Sequence, residues 1–284
     1  MQERQVNNMQ ILINGLKTNR AFAVSSFFVL LLIAVALAAP LIAPYDPLEA
    51  VMQNAYLPPS TEHLFGTDKL GRDNFSRILY GASYSLSSVL LLVTIIFAVG
   101  TTLGVLAGYY GGKVDIVIMR ISDMMISFPG MILATAVAGI LGGSLINAII
   151  ALTIVTWTKY ARLARSMVLK IKKRDFVEAA IVNGGTSTHI LWKHILPNIL
   201  PLMVITAGSD IGGMMMGLAG LSFLGFGSQP PAPEWGLMLN EGRQQLQTAP
   251  WLMIFPGLAI FVTVVIFNLW GDALRDVLDP RQEE

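Results

Sequence analysis

Cysteine is absent from the sequence, and charged residues are scarce. The absence of cysteine among 284 residues excludes disulfides, thiolate metal sites and cysteine nucleophiles. Charged residues make up 13% of the chain and apolar residues 54%, whereas average soluble domains have about 25% and about 45–50%. The net charge of +1 argues against a nucleic-acid partner, which requires a broad basic surface. This composition predicts a membrane protein.

Motifs that carry out chemistry are also lacking. No Gly-x-x-x-x-Gly-Lys-Ser/Thr phosphate loop occurs, so we do not expect the chain to hydrolyse ATP itself. His63, His189 and His194 are the three histidines, and they show no metal-ligand spacing such as His-Glu-x-x-His. No nucleophile and base stand at a plausible spacing. We therefore expect no enzyme activity, no metal site and no cofactor in this chain.

Long apolar segments dominate the rest of the sequence. A bilayer core requires about 20 apolar residues per helix. Six segments approach or exceed this length, the third of them interrupted by Phe128-Pro129-Gly130: 21–43, 85–108, 124–141, 145–164, 199–223 and 251–270. The predicted fold class is all-α, a polytopic membrane protein with six transmembrane helices. Residues 1–20 form an N-terminal segment, and 21–284 form a single transmembrane domain.

Positive charge sets the predicted orientation. The region from Lys159 to Lys193 holds eight of the 19 Lys and Arg residues, and an excess of these residues in a short loop marks the cytoplasmic side. Counting spans from this region places both termini in the cytoplasm, including the segment 1–20. The loops of about 44–84 and 224–250 are then external.

The same region contains a predicted docking element, in a cytoplasmic loop of about 165–198 between the fourth and fifth spans. Glu178-Ala179-Ala180 favours a helix, Asn183-Gly184-Gly185 a break, and 188–195 a second helix. Small alanines let a partner approach closely, and Gly184 permits the positive φ that tight turns often need. The simpler interpretation of Glu178 is a solvated charge on an amphipathic helix. The spacing of the motif favours docking on another protein.

Asp210 and the methionines after it are candidates for lining a path through the membrane. An acid within a span is costly and usually faces a bundle interior or an aqueous cavity. Asp210 is interpreted as a path-facing carboxylate or, with a slight preference, as a packing acid bonded to neighbouring helices. Met214-Met215-Met216 point in three directions on a helix and cannot converge on one ion. Met214 and Met215 therefore fit an adaptable core or path lining.

Several further motifs resemble one family, in a consistent order over about residues 24–280. They are His63-Leu-Phe-Gly-Thr-Asp-Lys-Leu-Gly-Arg-Asp73, Ser76-Arg77-Ile-Leu-Tyr-Gly-Ala82, Gly108-Tyr-Tyr-Gly-Gly112, Phe128-Pro129, Tyr160-Ala-Arg-Leu163, Leu221-Ser-Phe-Leu-Gly225, Trp235-Gly236, Thr248-Ala-Pro-Trp251 and Asn268-Leu-Trp-Gly-Asp-Ala-Leu-Arg-Asp-Val-Leu-Asp-Pro280. The chain resembles the second, C-type permease subunit of the dipeptide, oligopeptide and nickel class of ABC importers. Glu178-Ala179-Ala180 with Gly184 and Gly185 is similar to the EAA loop of that family, which contacts the ATPase.

The resemblance implies an assembly in a bacterial or archaeal inner membrane. Its members would be this chain, a second related permease subunit, two cytoplasmic ATPases and an extracytoplasmic solute-binding protein, surrounded by lipid. ATP and Mg²⁺ would be bound by the ATPases. The resemblance thus supplies the energised partner that a docking loop without a nucleotide site requires.

The substrate is less sharply indicated. Gly217-Leu218-Ala219-Gly220 stands where peptide-type members often carry a glutamate, and Asp210-Ile-Gly-Gly-Met-Met and Glu234-Trp-Gly-Leu-Met-Leu-Asn240 look more like nickel-type members. The prediction therefore leans to nickel or another metal chelate, with dipeptides or oligopeptides as the alternative. A second class of protein is an ion-coupled secondary carrier with Asp210 as the titrating group. The docking loop and the absence of a recognisable internal repeat argue against it.

Overall fold

The computed structural model describes residues 14–278, and it confirms the predicted all-α class. Within that range the main helices are α1 Arg20–Ile42, α2 Asn74–Tyr110, α3 Gly112–Ile126, α4 Gly130–Leu141, α5 Leu145–Ile171, α6 Asp175–Val182, α7 Ser187–Ile190, α8 Leu196–Phe223, α9 Trp235–Gly242 and α10 Trp251–Leu278. A π-helical segment, Leu191–Ile195, joins α7 to α8 without a break. The described residues form no strand, only an isolated bridge between Thr67 and Asp73.

By length and composition, fewer helices qualify as membrane spans than the six that the sequence predicts. Four helical stretches of residues 14–278 are long and apolar enough to cross a membrane, namely α1, α2, Ser187–Phe223 and α10. A fifth is added if α3 and α4, bent by 96° at 127–129, count as one span. The predicted fourth span lies on α5 and falls outside this set, and Lys159 and Arg162 lower its hydropathy. The six-span count remains a prediction.

Two helices extend beyond the segments predicted from the sequence. Helix α2 begins at Asn74 rather than at Ser85, because the Asp73 carboxylate accepts the N–H of Ser76 at 2.7 Å and caps the helix there. The predicted external loop therefore loses its last residues to a helix. The predicted separate helix 188–195 is instead continuous with α8, through the π-helical turn Leu191–Ile195 that comes just before Pro197.

Helices α2 and α5 pack through small residues. Gly100, Gly104 and Gly108 lie on one face of α2 at a spacing of four residues and face α5. A Cβ at Gly100 would stand 2.5 Å from the Cβ of Tyr160, and one at Gly108 would stand 2.8 Å from the Cβ of Val168. Lipid tails are as apolar as the helices, so the hydrophobic effect does little to hold membrane helices together. The close approach at these glycines provides the van der Waals contact that does so.

The bundle has two distinct ends. At one end, the Lys172 ammonium donates to the backbone oxygen of Tyr109 at 2.7 Å, so that α2 and α5 finish beside the hairpin 172–195. We call this the coupling-loop end, after the predicted docking element in the loop of about 165–198. At the opposite end, residues 43–73 and α9 cover the starts of α2 and α10, where the Trp251 indole donates to the Thr67 oxygen at 3.3 Å.

Candidate functional site

The turn after α6 follows a helix-ending hydrogen-bond pattern that requires a residue with positive φ. The N–H of Gly185 donates to the oxygen of Ala180 at 3.0 Å, and the N–H of Gly184 donates to the oxygen of Ile181 at 3.0 Å. These are the two bonds of a Schellman motif, in which the residue at the position of Gly184 is left-handed. Gly184 has φ +77°. A Cβ on Gly184 would meet no atom within 4 Å. Glycine is therefore required here by the backbone conformation and not by a lack of space.

Gly185 is constrained differently. A Cβ on Gly185 would stand 2.7 Å from the oxygen of Ala180, which is its own hydrogen-bond acceptor. The second glycine is therefore needed for space, and the pair closes α6 against the start of α7.

Helix α6 is anchored on one face and open on the other. Val177 is fully buried in the core and Ala180 packs against it, whereas Glu178 and Ala179 are exposed. Several large apolar side chains of this hairpin are also exposed: Phe176, Ile181, Val182 and Trp192. We call these four side chains together with Glu178 and Ala179 the coupling surface. Exposed apolar patches with a polar rim are typical of surfaces that contact another protein or a membrane.

Asp210 is held by two groups of α5. The Lys159 ammonium donates to its two carboxylate oxygens at 2.6 and 2.8 Å, and the Tyr160 hydroxyl donates to Oδ2 at 3.0 Å. Tyr160 is only 2% exposed. The cation and the donor compensate the carboxylate for its place within a helix bundle. No local sequence pattern signals this contact, since Lys159 and Asp210 are 51 positions apart.

Lys159 was counted with the basic loop, and this assignment is wrong. It lies on α5, where Arg162 and Arg165 follow it on the same helix. Arg162 pairs with Asp123 at 2.5 Å, and Arg165 donates to Asp115 at 2.6 Å. These charges therefore join α5 to α3 and α8. The excess of positive charge near 170–193 rests on the remaining five residues, Lys170, Lys172, Lys173, Arg174 and Lys193.

Two cavities meet at the Asp210 ion pair. One, of about 340 Å³, is lined mainly by apolar side chains that include Met125, Phe128 and Met214. The other, of about 280 Å³, is lined by Thr206, Ser209 and Arg275 among others. Lys159 and Asp210 line both. Met215 is 1% exposed and lies in the hydrophobic core, so it lines neither of these two cavities.

At the opposite end, a buried charge network explains the motif around residues 63–77. Arg72 donates to Asp68 at 2.6 Å and to Glu241 at 3.2 Å, and Arg77 donates to Glu241 at 2.9 Å. Both guanidinium groups are about 1–2% exposed, and Glu241 is 11% exposed. The network fastens the loop 43–73 and the start of α2 to α9.

Two further contacts stabilise this end. The His63 imidazole bonds through Nδ1 to Asp73 at 2.9 Å, which holds the loop onto the N-terminus of α2. Glu234 caps α9 by accepting the N–H groups of Gly236 and Leu237, each at 2.9 Å. Burial raises the pKa of the Glu234 carboxyl, although these N–H groups favour its ionised form.

The fold and these features define a class of protein: a polytopic helical membrane protein with a paired acid between cavities in its bundle and a helical hairpin with exposed apolar side chains at one end. Comparison with known families gives the finer assignment. Residues 100–284 match the family described as binding-protein-dependent transport system inner membrane component. Residues 9–59 match the N-terminal TM domain of oligopeptide transport permease C. The chain belongs to this family of ABC-importer permeases.

Relatives with three different substrates in their names are similar over most of their length. The chain is 44% identical over 268 residues to the dipeptide transport system permease protein DppC of Alkalihalophilus pseudofirmus, covering 94% of this chain and 88% of that protein. It is 48% identical to the glutathione transport system permease protein GsiD of Escherichia coli O157:H7, covering 90% and 85%. It is 42% identical to the nickel transport system permease protein NikC of Escherichia coli K12, covering 88% and 90%.

A solved structure shares the fold. The inward-facing MetNI methionine ABC transporter has a chain that aligns with a TM-score of 0.57 and 20% identity, covering 72% of this chain and 97% of that one. The family models and the sequence relatives confirm the family resemblance inferred from the motifs. The chain is a multi-pass inner-membrane transport component.

Proposed function

We propose that this chain is one of two permease subunits of an ATP-driven, binding-protein-dependent importer and forms half of its translocation path. The observation that carries the proposal is the coupling surface on α6 and the π-helical segment Leu191–Ile195. It presents exposed apolar side chains and Glu178 on a helix that is itself anchored to the core through Val177. A short helix of this kind fits a groove on a partner protein.

The geometry supports a direct route from that surface to the path. Helix α7, the π segment and α8 form one continuous stretch from Ser187 to Phe223. At about 1.5 Å per residue, Asp210 lies roughly 35 Å along it from Ser187. A movement of the hairpin would therefore be transmitted along a stiff element to the ion pair. ATP and Mg²⁺ would bias the ATPases between two arrangements, and the hairpin would follow them.

The partners follow from this role. They are a second related permease subunit, two ATPases docked at the coupling-loop end, and a solute-binding protein at the opposite end. The coupling-loop end is then cytoplasmic, and the 43–73 loop with α9 is external. The predicted cytoplasmic termini fall largely on residues 1–13 and 279–284, which lie outside the described residues. Apolar side chains exposed along α1, such as Leu37 and Leu41, suit contact with lipid.

For the substrate, the relatives support both alternatives that the sequence leaves open. The preference for nickel rested on residues near Asp210 and Glu234. In the structure Asp210 is already paired with Lys159, so a bare cation would have to displace that ammonium. The described residues also hold no group of three or more His, Asp or Glu side chains placed to bind a metal. These observations favour a peptide-like solute, while a metal chelate that brings its own ligands stays as the alternative.

Topology is testable by cysteine labelling, which is clean because the native chain has no cysteine. Gln53→Cys and Gln247→Cys, at exposed positions of the opposite end, should react with an impermeant thiol reagent in intact cells. Lys173→Cys should react only after the membrane is made permeable. Labelling of Lys173→Cys alone in intact cells would invert the orientation.

The proposed function itself is tested by affinity purification of the chain from the cells that produce it. The expected result is co-purification of a Walker-motif ATPase, with ATPase activity stimulated by the loaded binding protein. Recovery of the folded chain alone, with transport intact, would contradict the proposal.

A further inference from the structure

The Lys159–Asp210 ion pair lies near the middle of its two helices. Lys159 is on α5 and Asp210 on α8. At about 1.5 Å per residue, each stands roughly 20 Å from both ends of its helix. Both side chains line the 340 Å³ cavity and the 280 Å³ cavity. The pair therefore stands where a solute passing between the cavities would meet it.

Packing does not account for this pair. The Lys159 side chain is 60% exposed and that of Asp210 is 15% exposed. Ion pairs with so exposed a partner contribute little to stability, whereas charges within membrane helices are rare and tend to mark functional sites. The two charged groups also differ in how firmly each is held in place. The buried Tyr160 hydroxyl fixes the carboxylate, while the lysine ammonium reaches it on a long, exposed stem.

We propose that Lys159 and Asp210 form a binding site for the two charged ends of a zwitterionic solute, such as the free ammonium and carboxylate of a short peptide. The solute's ammonium replaces Lys159 at the Asp210 carboxylate, and the released Lys159 pairs with the solute's carboxylate. The inference rests on the proposed function and gives its substrate a chemical class.

Exchange of partners explains why a zwitterion fits and a singly charged solute does not. A cation bound at Asp210 leaves Lys159 without a partner, and an anion bound at Lys159 leaves Asp210 with only the Tyr160 hydroxyl. The second case is costly because the Asp210 side chain is largely buried, at 15% exposed. The first case leaves an uncompensated positive charge in a cavity that Arg275 also lines. A zwitterion leaves no charge unpaired.

The cavities suit such a solute in size and lining. Small-molecule sites commonly occupy about 300–1,000 Å³, and the larger cavity measures about 340 Å³. Its walls include Met125, Met214 and Phe128, and methionine adapts to side chains of different shape. The charged pair would bind the two charged ends of the solute. The apolar walls would accommodate different side chains between those ends.

The test uses the importer reconstituted in proteoliposomes with its partner permease, ATPases and binding protein. The probes are a mixed dipeptide pool with free ends, the same pool N-acetylated, the same pool C-amidated, and a Ni²⁺–histidine chelate. Uptake is measured for the native chain, Asp210→Asn and Lys159→Gln. The binding protein is identical throughout, so a change of preference between variants arises in this chain.

The expected result is selective. Asp210→Asn should lower uptake of the free pool by about tenfold or more, the loss expected for one charged hydrogen bond, and should erase the preference over the N-acetylated pool. Lys159→Gln should do the same for the C-amidated pool. Arg162→Gln, which removes an ion pair on the same helix away from both cavities, is the matched control and should keep the native preferences.

Three results would overturn the inference. The first is uptake of the nickel chelate but of no dipeptide by the native importer. The second is an equal loss for every probe in both variants, which would show a packing role. The third is unchanged preference in both variants. A native complex that contains no ATPase, or whose ATPase is not stimulated by the binding protein, would instead contradict the proposed function, and the inference with it.

Discussion

Gly184→Val should abolish most transport while the protein still inserts into the membrane. Gly184 has φ +77°, a region that a β-branched residue enters only with strain of about 1–3 kcal/mol. The substitution would open the turn that closes α6 and shift the exposed coupling surface. Uptake and recovery of the ATPase with the purified chain should both fall sharply, and the amount of inserted protein should hold.

Gly184→Asn is the matched control, because asparagine tolerates positive φ better than other residues and no atom lies within 4 Å of an added Cβ. It should retain most coupling. Glu178→Arg, which reverses the exposed charge without touching the turn, should also weaken ATPase recovery. Normal, substrate-stimulated ATPase activity in both Gly184→Val and Glu178→Arg complexes would refute the role assigned to the hairpin.

Glu241→Ala is expected to have the largest effect on stability. Its carboxylate is shared by two almost fully buried guanidinium groups, those of Arg72 and Arg77, and Asp68 alone would be left to neutralise them. Breaking a buried pair by removing one partner costs about 3–5 kcal/mol. Thermal unfolding in detergent should therefore occur at a clearly lower temperature than for the native protein.

Asp123→Ala supplies the comparison for this change. It removes a carboxylate from the Arg162 ion pair, whose two side chains are 44% and 54% exposed, so the loss should stay within about 1 kcal/mol. If Glu241→Ala and Asp123→Ala shift unfolding equally, the network at the opposite end does not hold the 43–73 loop as described.

The features that the sequence predicts correctly depend on residues that are close together in the chain. Continuous apolar runs gave the all-α class and helices α1, α2, α8 and α10, because hydropathy needs only neighbouring residues. The break at Phe128-Pro129-Gly130 appears as the bend between α3 and α4. The Asn183-Gly184-Gly185 break also appears, since a glycine after a helix is itself a local signal.

The features that sequence missed depend on contacts between distant residues. Glu241 is 169 positions from Arg72, and Asp210 is 51 from Lys159, so no periodicity relates them. Lys159 was assigned to a loop because charge suggested one, whereas the partner carboxylate allows it to stay within α5. The glycine face of α2 was different: its spacing of four residues, at Gly100, Gly104 and Gly108, was visible and is typical of close helix packing.

We propose that energy from ATP hydrolysis reaches this chain through the coupling surface. The most direct test is uptake of the binding-protein-loaded substrate into membrane vesicles, with ATP supplied on the side of the coupling-loop end and the proton gradient collapsed by an uncoupler. We expect uptake to continue with ATP and to stop when a non-hydrolysable analogue replaces it. Uptake that disappears with the uncoupler despite ample ATP would contradict the account and support an ion-coupled carrier.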